Sequence, residues 1–70
     1  MSKSAEPFLR DMRRLATVCR QTGLSAATIY RKVRDGSFPR QAKLGVRASA
    51  WPGDEIDAWI ASRIAARDID

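Results

Sequence analysis

The clearest pattern of apolar and polar positions in the chain begins with a short helical segment that a glycine ends. This first helix is predicted over about residues 17–22. Thr17 is its expected N-cap, because a threonine hydroxyl can accept a hydrogen bond from a free N–H of the first turn. Gly23 follows the segment, and glycine adopts the left-handed conformation after a last helical turn at low cost.

A second helix follows almost at once, over residues 26–35. Ser25 is its expected N-cap, and Gly36 is its expected stop. Only residues 23–25, which include a glycine, connect the two helices. Two short helices joined in this way have the spacing of a helix-turn-helix motif.

The periodicity changes to short extended runs after Pro39. Residues 42–44 and 48–51 flank a glycine-containing turn at 45–47. This pattern predicts a β-hairpin, and we expect the hairpin to form a wing over residues 41–51.

A last helix is predicted from Pro52, which suits a first helical turn, to about Arg67. One apolar stripe runs along it and consists of Ile56, Trp59, Ile60 and Ile64. The predicted fold class is therefore mainly α with a small β-hairpin, arranged as a winged helix-turn-helix. We expect a flexible arm at residues 1–13, the domain at 14–67 and a tail at 68–70.

The distribution of charge indicates a function for this fold. The chain has 70 residues and a net charge of +5, from 13 Lys and Arg against 8 Asp and Glu. Six of the basic residues fall within residues 31–47, where Asp35 is the only acid. Such a concentrated basic patch in a small domain is typical of nucleic-acid binding. The wide major groove of DNA suits a helix and wing better than the narrow one of RNA does.

Several classes of protein are disfavoured by what the sequence lacks. With one cysteine and no histidine, a single chain cannot build a zinc finger or a histidine-based catalytic dyad. No apolar run approaches the roughly 20 residues of a membrane span, and the start lacks the apolar stretch of a signal peptide. We therefore expect a cytoplasmic binding protein, with no enzyme activity, cofactor, metal, small-molecule ligand or membrane partner.

The outward face of the second helix holds the candidate base-contacting residues. Ala26, Ile29 and Val33 share its inner face at 100° per residue. The opposite face starts with small residues, which let the helix approach the major groove closely. Ala27, Thr28 and Arg31 lie there. The two-pronged guanidinium of Arg31 matches guanine O6 and N7, and Thr28 matches a base edge or a thymine methyl.

Further residues are candidates for phosphate contacts, which position a protein on DNA without reading its sequence. They are Ser25, Tyr30, Lys32 and Arg34 on or beside the second helix, Arg40 before the hairpin, and Lys43 and Arg47 on the hairpin. Ser25 can cap the helix and face a phosphate at the same time. The Tyr30 hydroxyl has two open interpretations, a phosphate contact or a half-buried place under Pro39.

The helix-turn-helix run LATVCRQTGLSAATIYR at residues 15–31 resembles that of the AlpA family of phage-type regulators. GSFPR at 36–40, KLGVR at 43–47, WP at 51–52 and EIDAWI at 55–60 continue the match in order. The family is similar in fold to excisionases and to the DNA-binding part of MerR-type regulators. The resemblance implies a winged-helix protein of phages or integrated elements, with residues 25–35 as its recognition helix.

These observations predict a transcriptional regulator that binds double-stranded DNA. The close alternative is an excisionase-like recombination directionality factor. An alternative of another class is an inhibitor or antitoxin-like interaction module that uses the last helix. Because one helix makes only two or three good base contacts, we expect additional copies on adjacent sites, or a partner such as an integrase or RNA polymerase.

Overall fold

The computed structural model describes residues 11–69, and side chains as far as Arg67. Its elements are β1 (Met12–Arg13), α1 (Leu15–Thr22), α2 (Ala26–Asp35), β2 (Ala42–Gly45), β3 (Ala48–Pro52) and α3 (Gly53–Ile69). The strands form an antiparallel sheet in the order β1-β3-β2. This arrangement confirms the predicted fold class, a mainly helical winged helix-turn-helix.

Local hydrogen bonds explain the bounds of α2 and of the turn before it. Ser25 has extended backbone, and its Oγ accepts a hydrogen bond from the Thr28 N–H at 3.1 Å. Gly23 and Gly36 end the two helices with φ of 77° and 86°, in the left-handed region that favours glycine. The predicted cap and both predicted stops are confirmed.

The start of α1 differs from the prediction. The helix begins at Leu15, and Arg14 is its N-cap residue with no side-chain cap bond. The Thr17 hydroxyl instead accepts a hydrogen bond from Arg20 at 3.2 Å, so Thr17 as an N-cap is wrong. The helix starts earlier because Leu15 packs against the core and the Val18 N–H bonds the Arg14 carbonyl at 3.0 Å.

The wing is the hairpin of β2, β3 and the Val46–Arg47 turn between them. Ala42 pairs with Ala50 and Lys43 with Ser49, and an irregularity follows between Lys43 and Gly45. The predicted hairpin is confirmed, with each strand one residue longer than expected at its C-terminal end.

Both ends of the folded part extend further than the sequence indicated. Met12 and Arg13 were expected in a flexible arm, but they pair with Pro52 and Trp51 as strand β1. Residues 1–10 of the expected arm lie outside the described residues. The last helix starts at Gly53 rather than Pro52 and continues to Ile69, into the expected tail.

The core lies where α1, α2, β3 and α3 meet. Val18, Ile29, Phe38, Trp51 and Ile56 are its buried members. Trp51 is fully buried, and its indole N–H donates to the Pro39 carbonyl at 2.8 Å. Trp59 packs at the edge of this core and donates to the Ser37 carbonyl at 2.7 Å. Both tryptophans thereby fasten the segment between α2 and the wing.

None of the helices within residues 11–69 has both the length and the apolar character needed to cross a membrane.

Candidate nucleic-acid interface

The N-terminal turn of α2 presents two of the predicted base-contacting residues. Ala27 is exposed, and Thr28 is half-buried beside the cap. The Ser25 hydroxyl lies 2.9 Å from the Thr28 hydroxyl and donates to it, while accepting from the Thr28 N–H. The two bonds fix the position of the Thr28 hydroxyl at the start of α2. Ser25 therefore orders the side chain of Thr28 as well as the helix end.

Basic side chains follow along the same helix. Arg31 and Arg34 are exposed, and Lys32 is half-buried on the flank. Within the described part of the chain, none of the three makes an ion pair. Long cations that are not held in an ion pair are suited to an external anion.

Asp35 ends the basic face of α2. Its carboxylate accepts hydrogen bonds from the Ser37 hydroxyl at 2.6 Å and the Ser37 N–H at 3.0 Å. These bonds, with smaller effects of the Lys32 and Arg31 charges, hold the pKa of Asp35 below its usual value. The charge of this carboxylate disfavours a phosphate directly beside Asp35, the last residue of α2.

A cleft of about 360 Å³ joins α2 to α1 and the wing. Arg14, Tyr30, Arg47 and Ser49 contribute to its walls, together with Leu15 and Ala16. The cleft therefore brings together the start of α1, the middle of α2 and the wing, three separate parts of the sequence. We call it the basic cleft.

The Tyr30 ring forms one wall of the basic cleft. It is 37% exposed, and its centroid lies 6.3 Å from that of Trp51. The inner part of the ring therefore packs on the core while the rest faces the cleft. A tyrosine placed in this way can hold its hydroxyl at a fixed position without losing contact with the apolar interior.

The wing contributes charge to the same region. Arg47 lines the basic cleft, and Lys43 lies directly across the hairpin from Ser49, another of its lining residues. Opposed residues in an antiparallel pair share a face of the sheet, so Lys43 belongs to the cleft side of the wing. Arg40 is exposed after Pro39 and does not line the cleft.

Two residues of the basic cleft, Arg14 and Ser49, were absent from the sequence-based candidates. Arg14 immediately precedes α1, whose first turn holds no acidic residue and whose N-cap makes no side-chain bond. The free N–H groups of the first turn of α1 and the positive end of its helix dipole favour an anion. Arg13 and Arg14 are adjacent and both follow Asp11 closely, so no local signal singled out Arg14.

Arg13, the neighbour of Arg14, makes its hydrogen bonds within the fold. Its guanidinium donates to Asp57 at 2.8 Å, to Asp11 at 2.8 Å and to Gln21 at 2.9 Å. It thus connects the β1 edge of the sheet to α1 and α3. The acids Asp11 and Asp57 are gathered at this edge, whereas the wing lies at the other edge. Within residues 11–69, no group of three His, Cys, Asp or Glu side chains could hold a metal ion.

The Arg13–Asp57 pair predicts a stability loss in acid. Hydrogen bonding to Arg13 holds the pKa of Asp57 below its usual value. Its contribution is therefore complete above the unfolded-state pKa of about 4 and is lost as the pH falls through the lower folded-state pKa. Asp57→Asn should lower the urea midpoint of unfolding at pH 7, and the difference from wild type should shrink below about pH 4.

Glu55→Gln is the matched control for this measurement, because Glu55 is exposed in the same first turns of α3 but is not bonded to Arg13. Its urea midpoint should change less than that of Asp57→Asn at pH 7. Equal losses in the two variants, or a difference for Asp57→Asn that persists to pH 2, would contradict the assignment of the pair.

The two short helices, the wing and the basic cleft between them define a winged helix-turn-helix domain. Residues 11–64 of the chain match the family model described as "Prophage CP4-57 regulatory protein (AlpA)". The chain belongs to this family, and the resemblance noted in its sequence is confirmed.

Two relatives illustrate the range of the family. "Uncharacterized protein ORF88" of Enterobacteria phage P4 is 46% identical over 62 residues, which cover 89% of this chain and 66% of that protein. The chain thus spans just under two-thirds of this relative's length. "DNA-binding transcriptional activator AlpA" of Escherichia coli (strain K12) is 38% identical over 56 residues, covering 71% of this chain and 80% of that protein.

Proposed function

We propose that the chain is a transcriptional regulator of phage or integrated-element type that binds double-stranded DNA in a sequence-specific manner. In this proposal α2 enters the major groove, and the wing follows the backbone or the minor groove. The protein acts in the cytoplasm by binding and not as an enzyme. Its family and the name of its Escherichia coli relative support this class of function.

The basic cleft is the observation that carries the proposal. Arg14, Tyr30 and Arg47 converge there from three elements, beside the uncapped start of α1. A backbone phosphate in this cleft would meet two guanidinium groups, a phenol hydroxyl and helix N–H groups, all of which favour an anion. Such a contact would hold α2 in a fixed orientation against the duplex.

The residues that would read the DNA sequence are Ala27, Thr28 and Arg31. The small side chain of Ala27 permits close approach, the ordered Thr28 hydroxyl can donate to a base acceptor, and Arg31 can bond guanine with two N–H groups. Ser25, Lys32, Arg34, Arg40 and Lys43 would contact phosphates around this centre.

One domain of this size is expected to need help in finding its site. Each good base contact discriminates by about 1–3 kcal/mol, while a genome offers roughly 10⁶ or more competing sites. We therefore include in the proposal that several copies bind adjacent sites, or that an integrase or RNA polymerase assists. An array of sites within an attachment region would favour the excisionase-like role, and a site over a promoter would favour the regulator.

The test is a titration of DNA affinity against salt, with a duplex selected from a random pool and a scrambled duplex of equal composition. Three to five phosphate contacts predict a log–log slope of about −3 to −4.5. Arg14→Ala and Arg47→Ala should each reduce the magnitude of this slope by about 1. Each should weaken binding to the two duplexes by the same factor.

Arg63→Ala is the control, because Arg63 is exposed on α3 in a different groove, beside Gln21 and Trp59. This variant should keep the wild-type slope. If wild type binds neither duplex at low salt, the DNA proposal fails, and the groove on α3 becomes the candidate site for a protein partner. If Arg14→Ala and Arg63→Ala behave alike, the basic cleft is not a phosphate site.

A further inference from the structure

An apolar side chain stands almost fully in solvent at the tip of the wing. Val46 is 92% exposed, so almost none of its surface contacts the protein. It forms the two-residue turn between β2 and β3 together with Arg47. Neither Val46 nor Arg47 has a positive φ, so the backbone of this turn does not call for glycine, asparagine or aspartate. The backbone accepts valine at this tip, but its apolar side chain adds nothing to the core and is left in contact with water.

The surroundings of Val46 are cationic. Lys43 and Arg47 are exposed on the same hairpin, and no acidic residue occurs between residues 36 and 53. Leu44 is the other exposed large apolar side chain of the wing, at 54%. Two such side chains are far too few for a protein interface, which buries about 800 Å² on each partner. An apolar tip with basic flanks is instead suited to a groove of a polyanion.

The basic cleft indicates where the tip would lie on a duplex. Arg47 lines the cleft, and Val46 is the preceding residue at the end of the hairpin. If the cleft holds a backbone phosphate, the tip lies just past the backbone, where the adjacent groove opens. The minor groove is about 6 Å wide, which admits a single compact side chain projecting from the hairpin tip.

We infer that Val46 is an apolar wedge that enters the minor groove, partly unstacks a base step and bends the DNA. This inference rests on the proposed DNA binding and adds to it a residue that acts on DNA shape. Apolar wedges in the minor groove kink duplexes by about 20–90° and favour flexible pyrimidine–purine steps. Val46 would thereby give sequence preference at a step to which no side chain donates a hydrogen bond.

The experiment uses the full chain and the selected duplex in two forms. One form carries a fluorophore pair at its ends, so that bending changes energy transfer. The other carries 2-aminopurine at successive positions, because unstacking raises its fluorescence. Wild type should bend the duplex and raise the 2-aminopurine signal at one step. Val46→Ser should lose most of both signals while binding within about tenfold of wild type, and Val46→Ile should retain both.

Leu44→Ser is the matched control, since Leu44 is exposed on the same hairpin but not at its tip. It should bend DNA as wild type does. These substitutions are at exposed positions, so circular dichroism should report unchanged folding. The wedge inference alone is overturned if the wild-type protein binds the duplex without bending it. It is also overturned if Val46→Ser bends the duplex as much as wild type does. Failure of wild type to bind any selected duplex overturns the proposed function, and the wedge with it.

Discussion

Trp51→Ala should leave the domain largely unfolded at 25 °C. Trp51 is fully buried in the core, and its ring packs near the rings of Tyr30 and Phe38. Truncating a buried tryptophan to alanine costs about 3–5 kcal/mol. A single core in a chain of this length rarely supplies more than about 3–5 kcal/mol of net stability. The substitution therefore removes most or all of that stability, and far-UV circular dichroism with urea titration measures the loss.

Trp51→Phe separates the two contributions of this residue. It keeps an aromatic ring in the core but removes the indole N–H that donates to the Pro39 carbonyl. An unsatisfied buried carbonyl costs about 1–3 kcal/mol, so this variant should fold with a lowered urea midpoint. A cooperative transition near the wild-type midpoint for Trp51→Ala would show that the core does not depend on this residue.

Arg31→Ala should abolish most of the preference for selected over scrambled DNA. Arg31 is the first long basic side chain on the outward face of α2, and it is exposed. A guanidinium that bonds guanine O6 and N7 contributes about 1–3 kcal/mol of discrimination, or a factor of about 5 to 150 in affinity ratio. Competition binding of the two duplexes at one fixed salt concentration measures this ratio directly.

Arg34→Ala is the matched variant, because Arg34 is also exposed and lies about one helical turn further along α2. If Arg34 contacts a phosphate, its loss should weaken binding to both duplexes by the same factor and leave the ratio of the two affinities unchanged. Loss of preference in Arg34→Ala but not in Arg31→Ala would move the base-reading position toward the C-terminal end of the helix.

Local signals made the central part of the fold predictable. Ser25, Gly23 and Gly36 each act through backbone groups within a few residues of themselves, so their roles can be identified from the sequence around them. The hairpin and the apolar stripe of α3 follow equally from short-range periodicity. The start of α1 was missed because the competing signal there, packing of Leu15 against the core, is not local.

Strand β1 shows the limit of such reasoning. Two residues carry no detectable period, and Met12 and Arg13 form a strand only because Pro52 and Trp51 lie beside them. The Arg13–Asp57 ion pair likewise joins positions 44 apart in the sequence. Nothing near either residue distinguishes Arg13, which is bonded inside the fold, from Arg14, which faces the basic cleft.

The sequence by itself determined the helix-turn-helix, the wing, the basic character of residues 31–47 and the family, because caps, turns, periodicity and charge are properties of neighbouring residues. Only the tertiary structure decided that Arg14, Tyr30 and Arg47 share one cleft and that Val46 is 92% exposed at the tip of the wing. Those facts depend on how β3 and the core residues Trp51 and Ile29 orient the elements in space. The relative placement of elements is set by long-range packing, and no local pattern records it.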